Sequence, residues 1–484
     1  MVKKISRLVL SLIVVSTSVH AEKITLSQAK MAELVIQKSL SLKETDLRYE
    51  QYRYAPFLVY GNYEWKWSIE SGYQVDKSES LSLIGDYRFE RYKTVASISK
   101  SLITGTSLVF DVARTSQKRD GDSFAAVGST QTAASMSQIT FDSWGVSIEQ
   151  ALWGNSFGVA DRARIRAAES LYKSQNLIRS DEIQNLVLQG LRLYWDVYVA
   201  QENFNESLSA RDRYQKLVGS IQRKSSLGYT LPGELNQVNA EFEARQSNIK
   251  TGSQDYLRRL ESLVTFLNLP PNTEIQFDIP KNIPPIPKLT PKGAKDVRSI
   301  QSQDLRIASV EDELKYVDSN NSPKLNLIAK LGATGVDESS SESMSELTRG
   351  SHPNAYVGLR LSHAFGSDVR KEEILNKKAT LELERVKQQR YILEFDDRQR
   401  QAQRKVEVAF QVLDSVAKQK VFREKALNEL NRSYTQGRTD IRNLIDAMNA
   451  LNTTEVAHSR AIGDYFIALN EWAALRDELI KDKE

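Results

Sequence analysis

Residues 158–225 and 367–435 each hold a helical pattern for about 65 to 70 residues, and each run stops at a glycine turn before another helix begins. At about 1.5 Å per residue such a helix spans roughly 100 Å, three times the width of a small domain. Its apolar positions form a narrow seam: Ile183, Leu186, Val187, Gly190, Leu191 and Tyr194 recur at spacings of three and four. The remaining faces carry Lys, Arg, Glu, Asp and Gln. A seam this narrow on a helix this long packs beside neighbouring helices in an array, not into a globular core.

The two glycine turns, KSSLGYTLPGELNQV (224–238) and NRSYTQGRTDIRNLIDA (431–447), mark an internal repeat. Superposing Gly228 on Gly437 sets an offset of 437 − 228 = 209 positions. The same offset matches Thr230 with Thr439, Leu235 with Leu444, Asp255 and Tyr256 with Asp464 and Tyr465, and Leu260 with Leu469. Upstream, LRLYWDV (191–197) resembles VEVAFQV (406–412), and ITLSQAK (24–30) resembles LTPKGAK (289–295). The chain therefore divides into a first repeat, 22–267, a connector, 268–291, and a second repeat, 292–484. The connector holds seven of the eleven prolines and is expected to be extended.

Each repeat has the same expected succession. A helix of about 30 residues (25–54; 292–320) ends at Pro56 or Pro323. Strands, the long helix, the glycine turn and a helix of about 40 residues (232–268; 441–482) follow. The two shorter helices laid end to end match the long one, so each repeat makes a two-stranded coil with its hairpin tip at the glycine turn.

The strand segments alternate in polarity. In FLVYGNYEWKWSIE (57–70), Phe57, Val59, Gly61, Tyr63, Trp65, Trp67 and Ile69 share one face; Leu58, Tyr60, Asn62, Glu64, Lys66, Ser68 and Glu70 share the other. An apolar, aromatic-rich face opposite a polar one is the lipid-out, water-in pattern of a transmembrane β-barrel, which needs about 10 residues per crossing. Phe57, Val59, Tyr63, Trp65 and Trp67 are the expected lipid-facing residues. The second repeat carries the pattern in Leu325, Leu327 and Leu331 and again in Val357, Leu359 and Leu361. Residues 337–354, DESSSESMSELTRGSHPN, have the composition of an extracellular loop. Residues 97–123 add a hairpin turning at Thr104-Gly105-Thr106, which either extends the barrel above the membrane or adds strands to it.

The first 21 residues have a basic start (Lys3, Lys4, Arg7), an apolar stretch from Leu8 to Val15 and small residues before a cut after Ala21. This is the pattern of a secretory signal peptide. Its removal takes the formal charge from +4 to +1, since three basic residues leave with it. The chain has no cysteine, so neither a disulfide nor a lipidated N-terminal cysteine is available to the exported protein. Elsewhere no run of about 20 apolar residues occurs, which excludes a transmembrane helix there. With 66 basic against 62 acidic residues there is no nucleic-acid footprint.

Enzyme chemistry lacks its residues. The four histidines are His20 in the leader and His352, His363 and His458, scattered over a loop, a strand and a polar helix where His458 is expected to be solvated. No metal-ligand spacing, nucleophile motif or phosphate-binding glycine loop occurs, so no catalytic residue, metal or cofactor is expected.

Leader, duplication, helix–strand–long helix–turn–helix order and alternating strands together resemble the TolC-type outer-membrane channel family over about residues 22–480. The most specific stretch is Tyr434, Gly437, Leu444 and Asp446, similar to the family's pattern of tyrosine, glycine and a leucine- and aspartate-containing helix start. The resemblance implies a mainly α protein with β: a homotrimeric transmembrane β-barrel, four strands per chain, continued by a periplasmic coiled-coil tunnel. It implies an exit duct for efflux or type I secretion, with outer-membrane lipid, a periplasmic adaptor and an inner-membrane pump as partners. Family members often place two aspartates three residues apart at the constriction; here those positions are Asn443 and Asp446, and Glu234 matches Asn443 in the first repeat. The family's tip arginine is Thr439 here, flanked by Arg438 and Arg442. The gate candidates are therefore Asp446, Asn443, Glu234, Tyr434, Gly437, Arg438, Arg442 and Gly228. An alternative, a periplasmic coiled-coil adaptor or structural rod, shares the helical hairpins but lacks membrane strands in two matching sets.

Overall fold

A computed structural model describes residues 23–76, 88–120, 138–230, 232–271, 273–279, 283–364 and 368–480. The expected signal peptide lies outside them. In chain order the elements are β1 (Lys23–Leu26), α1 (Gln28–Lys38), α2 (Leu40–Tyr60), β2 (Lys66–Asp76), β3 (Arg88–Ser101), β4 (Thr106–Asp120), β5 (Gln138–Trp153), α3 (Val159–Ser226) and α4 (Glu234–Phe266). Then come β6 (Glu274–Phe277), α5 (Arg298–Asn321), β7 (Lys324–Asp337), α6 (Ser340–Arg349), β8 (His352–Ser362), α7 (Val369–Thr435) and α8 (Ile441–Leu475). The long helices α3 and α7 have 68 and 67 residues.

Two compact units emerge. Of the described residues, one unit, helical, contains those up to Leu47, those of Arg179–Val297 and those from Leu393 onward; the other contains those of Arg48–Ile178 and Arg298–Ile392. In the helical unit the expected seam is buried: Val187, Leu191 and Tyr194 are all but inaccessible. Gly190 lets α1 approach α3, since a Cβ there would lie 2.7 Å from a Val35 methyl and 2.8 Å from the Met31 Cε. Trp195 stacks on Phe466 of α8 with ring centroids 4.5 Å apart. The described part of the proline-rich connector contributes β6, which pairs in parallel with β1. Two buried tyrosines fasten it: Tyr194 donates to the Asp278 carbonyl at 3.3 Å and Tyr465 to the Pro284 carbonyl at 3.0 Å.

The second unit holds a six-stranded antiparallel sheet in the order β2-β3-β4-β5-β7-β8. Six strands replace the four implied by the family resemblance, because the hairpin β3–β4 enters the sheet between β2 and β5. Two other expectations are corrected. Pro56 lies inside α2 and does not end it; proline removes one donor and strains one turn, and here the helix runs on for one more turn to Tyr60. Phe57 and Val59 are consequently helical, and Tyr63 closes a 3-10 turn, Gly61–Tyr63, so these three are not strand residues. An i, i+2 pattern over so few positions does not distinguish strand from helix. The 337–354 segment is not a bare loop either. Its serine-rich sequence supplies an N-cap, Ser339, and Gly350 closes α6 in the left-handed conformation.

Small residues let α5 pack closely on the start of α3. The buried Ser174 hydroxyl donates to the Ser302 carbonyl at 2.7 Å, and the Ser309 hydroxyl to the Ala167 carbonyl at 2.8 Å. One turn on, Arg166 donates to both carboxylate oxygens of Asp312, at 2.9 and 3.2 Å. Burial works against the Asp312 charge, but hydrogen bonds from Arg166 and Lys315 outweigh it and hold the carboxyl below its ordinary value. A depressed carboxylate stabilises the fold above the unfolded value, near pH 4, and that increment is lost as pH falls through the folded value. Asp312→Asn is expected to cost about 1 kcal/mol at pH 7, with Arg166 half exposed. Detergent melting curves from pH 7 to pH 3 check this, the two proteins converging as pH falls.

Candidate channel wall and gate

The strand register decides which side chains share a face. Trp67 pairs with Ile98, Ile98 with Phe110, Phe110 with Val146, Val146 with Leu331 and Leu331 with Ala355. A second row runs Ile69, Ala96, Val112, Trp144, Ala333 and Pro353. Lower down, Leu325 pairs with Leu361 and Trp153, and Leu327 with Leu359. Every strand thus adds to one apolar belt on a single face. Trp67 and Val357 are each 75% exposed.

The belt has polar boundaries. On β4 it lies between Thr106 and Arg114, eight residues apart in the sequence, which is about 27 Å along a strand. At a tilt of about 40° that is a height of about 20 Å, comparable with the ~25 Å band of outer-membrane barrels. Trp65, just before β2, and Trp153 lie at the helix-proximal margin, and the Tyr73–Tyr92 pair, 5.3 Å between ring centroids, at the distal one. Aromatic girdles occupy these levels in barrels. Beyond the distal margin Arg114 donates to both oxygens of the buried Asp142, at 2.7 and 3.0 Å. Here α6 covers the sheet, with Gly335 so close beneath it that a Cβ would collide with the Ser343 carbonyl.

The opposite face is polar. Lys66, Ser68 and Glu70 on β2 share it with Ser97 and Lys93 on β3 and Asp111 on β4. Glu149 of β5 accepts from Asn326 of β7 at 2.6 Å and from Arg360 of β8 at 3.3 Å. Such a face suits water and would be untenable against hydrocarbon. Of the five expected lipid-facing strand residues only Trp67 lies on a strand, with Trp65 just before it; sequence reasoning missed this three-strand network, because its members lie in different repeats.

The second constellation surrounds the glycine turns, in the helical unit. Gly228 and Gly437 have φ of +78° and +72°, where a side chain is strained and glycine is not. Both turns close the helix before them identically: the Gly437 and Arg438 amides donate to the Tyr434 and Ser433 carbonyls, as the Gly228 and Tyr229 amides do to those of Ser225 and Lys224. The two hairpins share an apolar cluster of Tyr214, Leu217 and Ile221 from α3, Val238 from α4, Tyr434 from α7, and Ile441, Leu444, Ile445 and Met448 from α8.

Burial of 441, 444, 445 and 448 turns the other face of α8 outward. Arg442, Asn443 and Asp446 are therefore exposed, as is Arg438 in the turn. Asn443 donates to the Thr439 hydroxyl at 3.1 Å. Among the described residues no ion pair joins Arg438 or Arg442 to Asp446. Tyr434 is the junction: Lys224 places its ammonium 4.2 Å from the ring centroid. Burial, then the charges of Glu234 and Asp440, push its phenol up. Lys224 and Asp440, the latter an N-cap accepting from the Arg442 amide, were not among the expected tip residues. Their spacing in sequence carries no signal, since the turns are brought together only by the fold. His458 is half-buried rather than solvated, and burial followed by Lys420 lowers its pKa.

Solved structures place this arrangement. OprN, described as an outer-membrane channel, aligns over 93% of this chain and 89% of its own, with a TM-score of 0.69 at 14% identity. The fold is that of the TolC-type outer-membrane channels. VceC, an outer membrane protein of Vibrio cholerae, matches over 94% and 97% of the two chains with a TM-score of 0.69 at 10% identity. The open state of the Neisseria gonorrhoeae MtrE outer membrane channel matches over 94% and 90% with a TM-score of 0.65 at 13% identity. No protein-family model matches the sequence, and no curated protein does. Within the TolC-type fold the glycine turns are a local demand of chain reversal. Gly437→Val is accordingly expected to destabilise the tip by about 1–2 kcal/mol and Gly437→Asn by much less, as read from hydrogen exchange of the adjoining helix ends.

Proposed function

We propose that the chain is an outer-membrane exit duct for efflux or type I secretion, working as a homotrimer with a periplasmic adaptor and an inner-membrane pump. One observation carries the reading: the register unites six strands into one apolar belt with a polar, hydrogen-bonded reverse face. The solved structures sharing the fold include outer-membrane channels, and the secretory leader suits export. The adaptor alternative gives no reason for such a belt. Transport is passive, and no cofactor is required.

The gate is the pair of hairpin tips. Three copies repeat Asp446 and Glu234 around one axis, crowding carboxylates at a narrow opening that favours cations and raises the energy of the closed state. Glu234 also opens α4, where an anion meets the positive end of the helix. The Lys224–Tyr434 contact joins the hairpins within a chain, so a rotation of one tip is passed to the other. Arg438 and Arg442, exposed on the turn and on α8, are placed for contacts with a neighbouring copy or the adaptor. Asn443 in place of a second acid makes the ring weaker than one with paired aspartates.

Two measurements test the reading. The protein should fractionate with outer membranes and migrate differently on gels before and after heating; a soluble periplasmic protein with no such shift refutes the duct. In planar bilayers the Asp446→Ala, Glu234→Ala double variant should lose several-fold in cation-over-anion selectivity. Unchanged selectivity removes the carboxylate ring from the gate and leaves the duct standing.

A further inference from the structure

We infer that the β3–β4 hairpin forms two full wall strands of the pore, so that three copies close an eighteen-stranded barrel in which β2 of each copy pairs with β8 of the next. The inference rests on the proposed membrane duct and takes the number of copies from it.

Three features make the hairpin part of the wall. Its strands have 14 and 15 residues, more than the roughly 9–11 that cross a membrane. It pairs without interruption on both sides, from Lys66↔Ser99 to Asp76↔Phe89 with β2 and from Thr106↔Gln150 to Lys118↔Gln138 with β5. Ala96, Ile98, Leu108, Phe110 and Val112 continue the outer belt at the same height as their neighbours.

The turn fixes the hairpin's level. The Ala151 amide donates to the Gly105 carbonyl at 3.0 Å, and the Gln150 side chain to the Thr104 carbonyl at 3.0 Å. Beside it, a Cβ on Gly158 would collide with the Ile103 carbonyl oxygen. Gly158 immediately precedes α3, so the turn sits where strands give way to helices. The hairpin starts at the base of the wall and rises with it; it is not an extension above the membrane.

The sheet is open, with β2 and β8 as its edges. Open edges cannot face hydrocarbon, where backbone groups find no water. The fitting occupant is a second copy. Both edges have 11 residues, and they run in opposite directions, β2 away from the helices and β8 towards them. Each has an apolar outer row: Trp67 and Ile69 on β2, Val357, Leu359 and Leu361 on β8. Six strands from each of three copies make eighteen. With strands about 4.8 Å apart and tilted about 40°, the backbone diameter is about 36 Å, against about 24 Å for twelve strands. The exit is then too wide to select cargo by size, and selection falls to the helical tips.

Electron microscopy of the full-length protein in lipid nanodiscs counts the wall strands directly. Eighteen, with β2 beside a neighbour's β8, is the expected result. A twelve-stranded wall, with residues 88–120 outside it or with only two copies present, overturns the inference but not the membrane duct. A particle with no barrel overturns both. Because the chain lacks cysteine, crosslinking offers a second readout: Ser68→Cys combined in turn with Asn354→Cys, Tyr356→Cys, Arg360→Cys and Ser362→Cys. At least one pair should link separate copies on a gel, while Ser68→Cys with Ser147→Cys, two interior strands away, should not. No link at any β8 position contradicts the closure.

Discussion

A strand in lipid must satisfy its hydrogen bonds sideways, because the hydrocarbon offers none. In the proposed duct, that constraint organises the sheet unit. It demands unbroken ladders, and the register is continuous across all six strands save for one irregularity between Ala151 and Trp153. It also makes register decisive, since a slip of one residue would carry Trp67, Phe110 or Val146 to the polar face and Glu149 or Arg360 to the apolar one. The irregularity falls at the base of β5, where it returns Trp153 to the outer row beside Leu325.

The helical unit obeys the opposite rule, with apolar groups inward. Its long helices bury only a stripe, and cores such as Trp195 on Phe466 or Tyr434 among Ile441, Leu444 and Ile445 sit between helices that are otherwise charged. This explains a mean hydropathy of −0.45 in a chain whose sheet carries an apolar belt. The belt uses only alternate residues of short strands, so it adds little to an average dominated by exposed helix. No described helix is long and apolar enough to cross a membrane.

Much of this was legible in the sequence where periodicity runs long. The two long helices and the glycine turns lie within a few residues of their expected places, and Gly228 and Gly437 carry the same cap. Legibility failed where patterns are short or non-local. Phe57 to Tyr63 gave four alternating positions, too few to outweigh a helix that passes through Pro56. The 337–354 segment has the composition of a loop because its helix α6 is held by packing on a strand, and Gly335 beneath it carries no such sign. The place of β3–β4 could not be settled from composition, since it depends on whether Gly105 meets Gln150 and Ala151 across the fold. Lys224 and Tyr434 are likewise partners only in three dimensions. The tip candidates Arg442, Asn443 and Asp446 are exposed positions on α8, a consequence of the buried 441, 444, 445, 448 stripe.

The most direct test uses the protein's own tryptophans. Of six, Trp65, Trp67, Trp144 and Trp153 lie on or at the margin of the belt, while Trp195 and Trp472 are buried in the helical unit. Single-tryptophan variants should be reconstituted into vesicles whose lipids carry bromine at known depths, and quenching measured for each. Strong quenching of the belt tryptophans, with Trp195 and Trp472 untouched, is the predicted result. Equal, weak quenching at all six positions would contradict a lipid-facing wall and with it the duct.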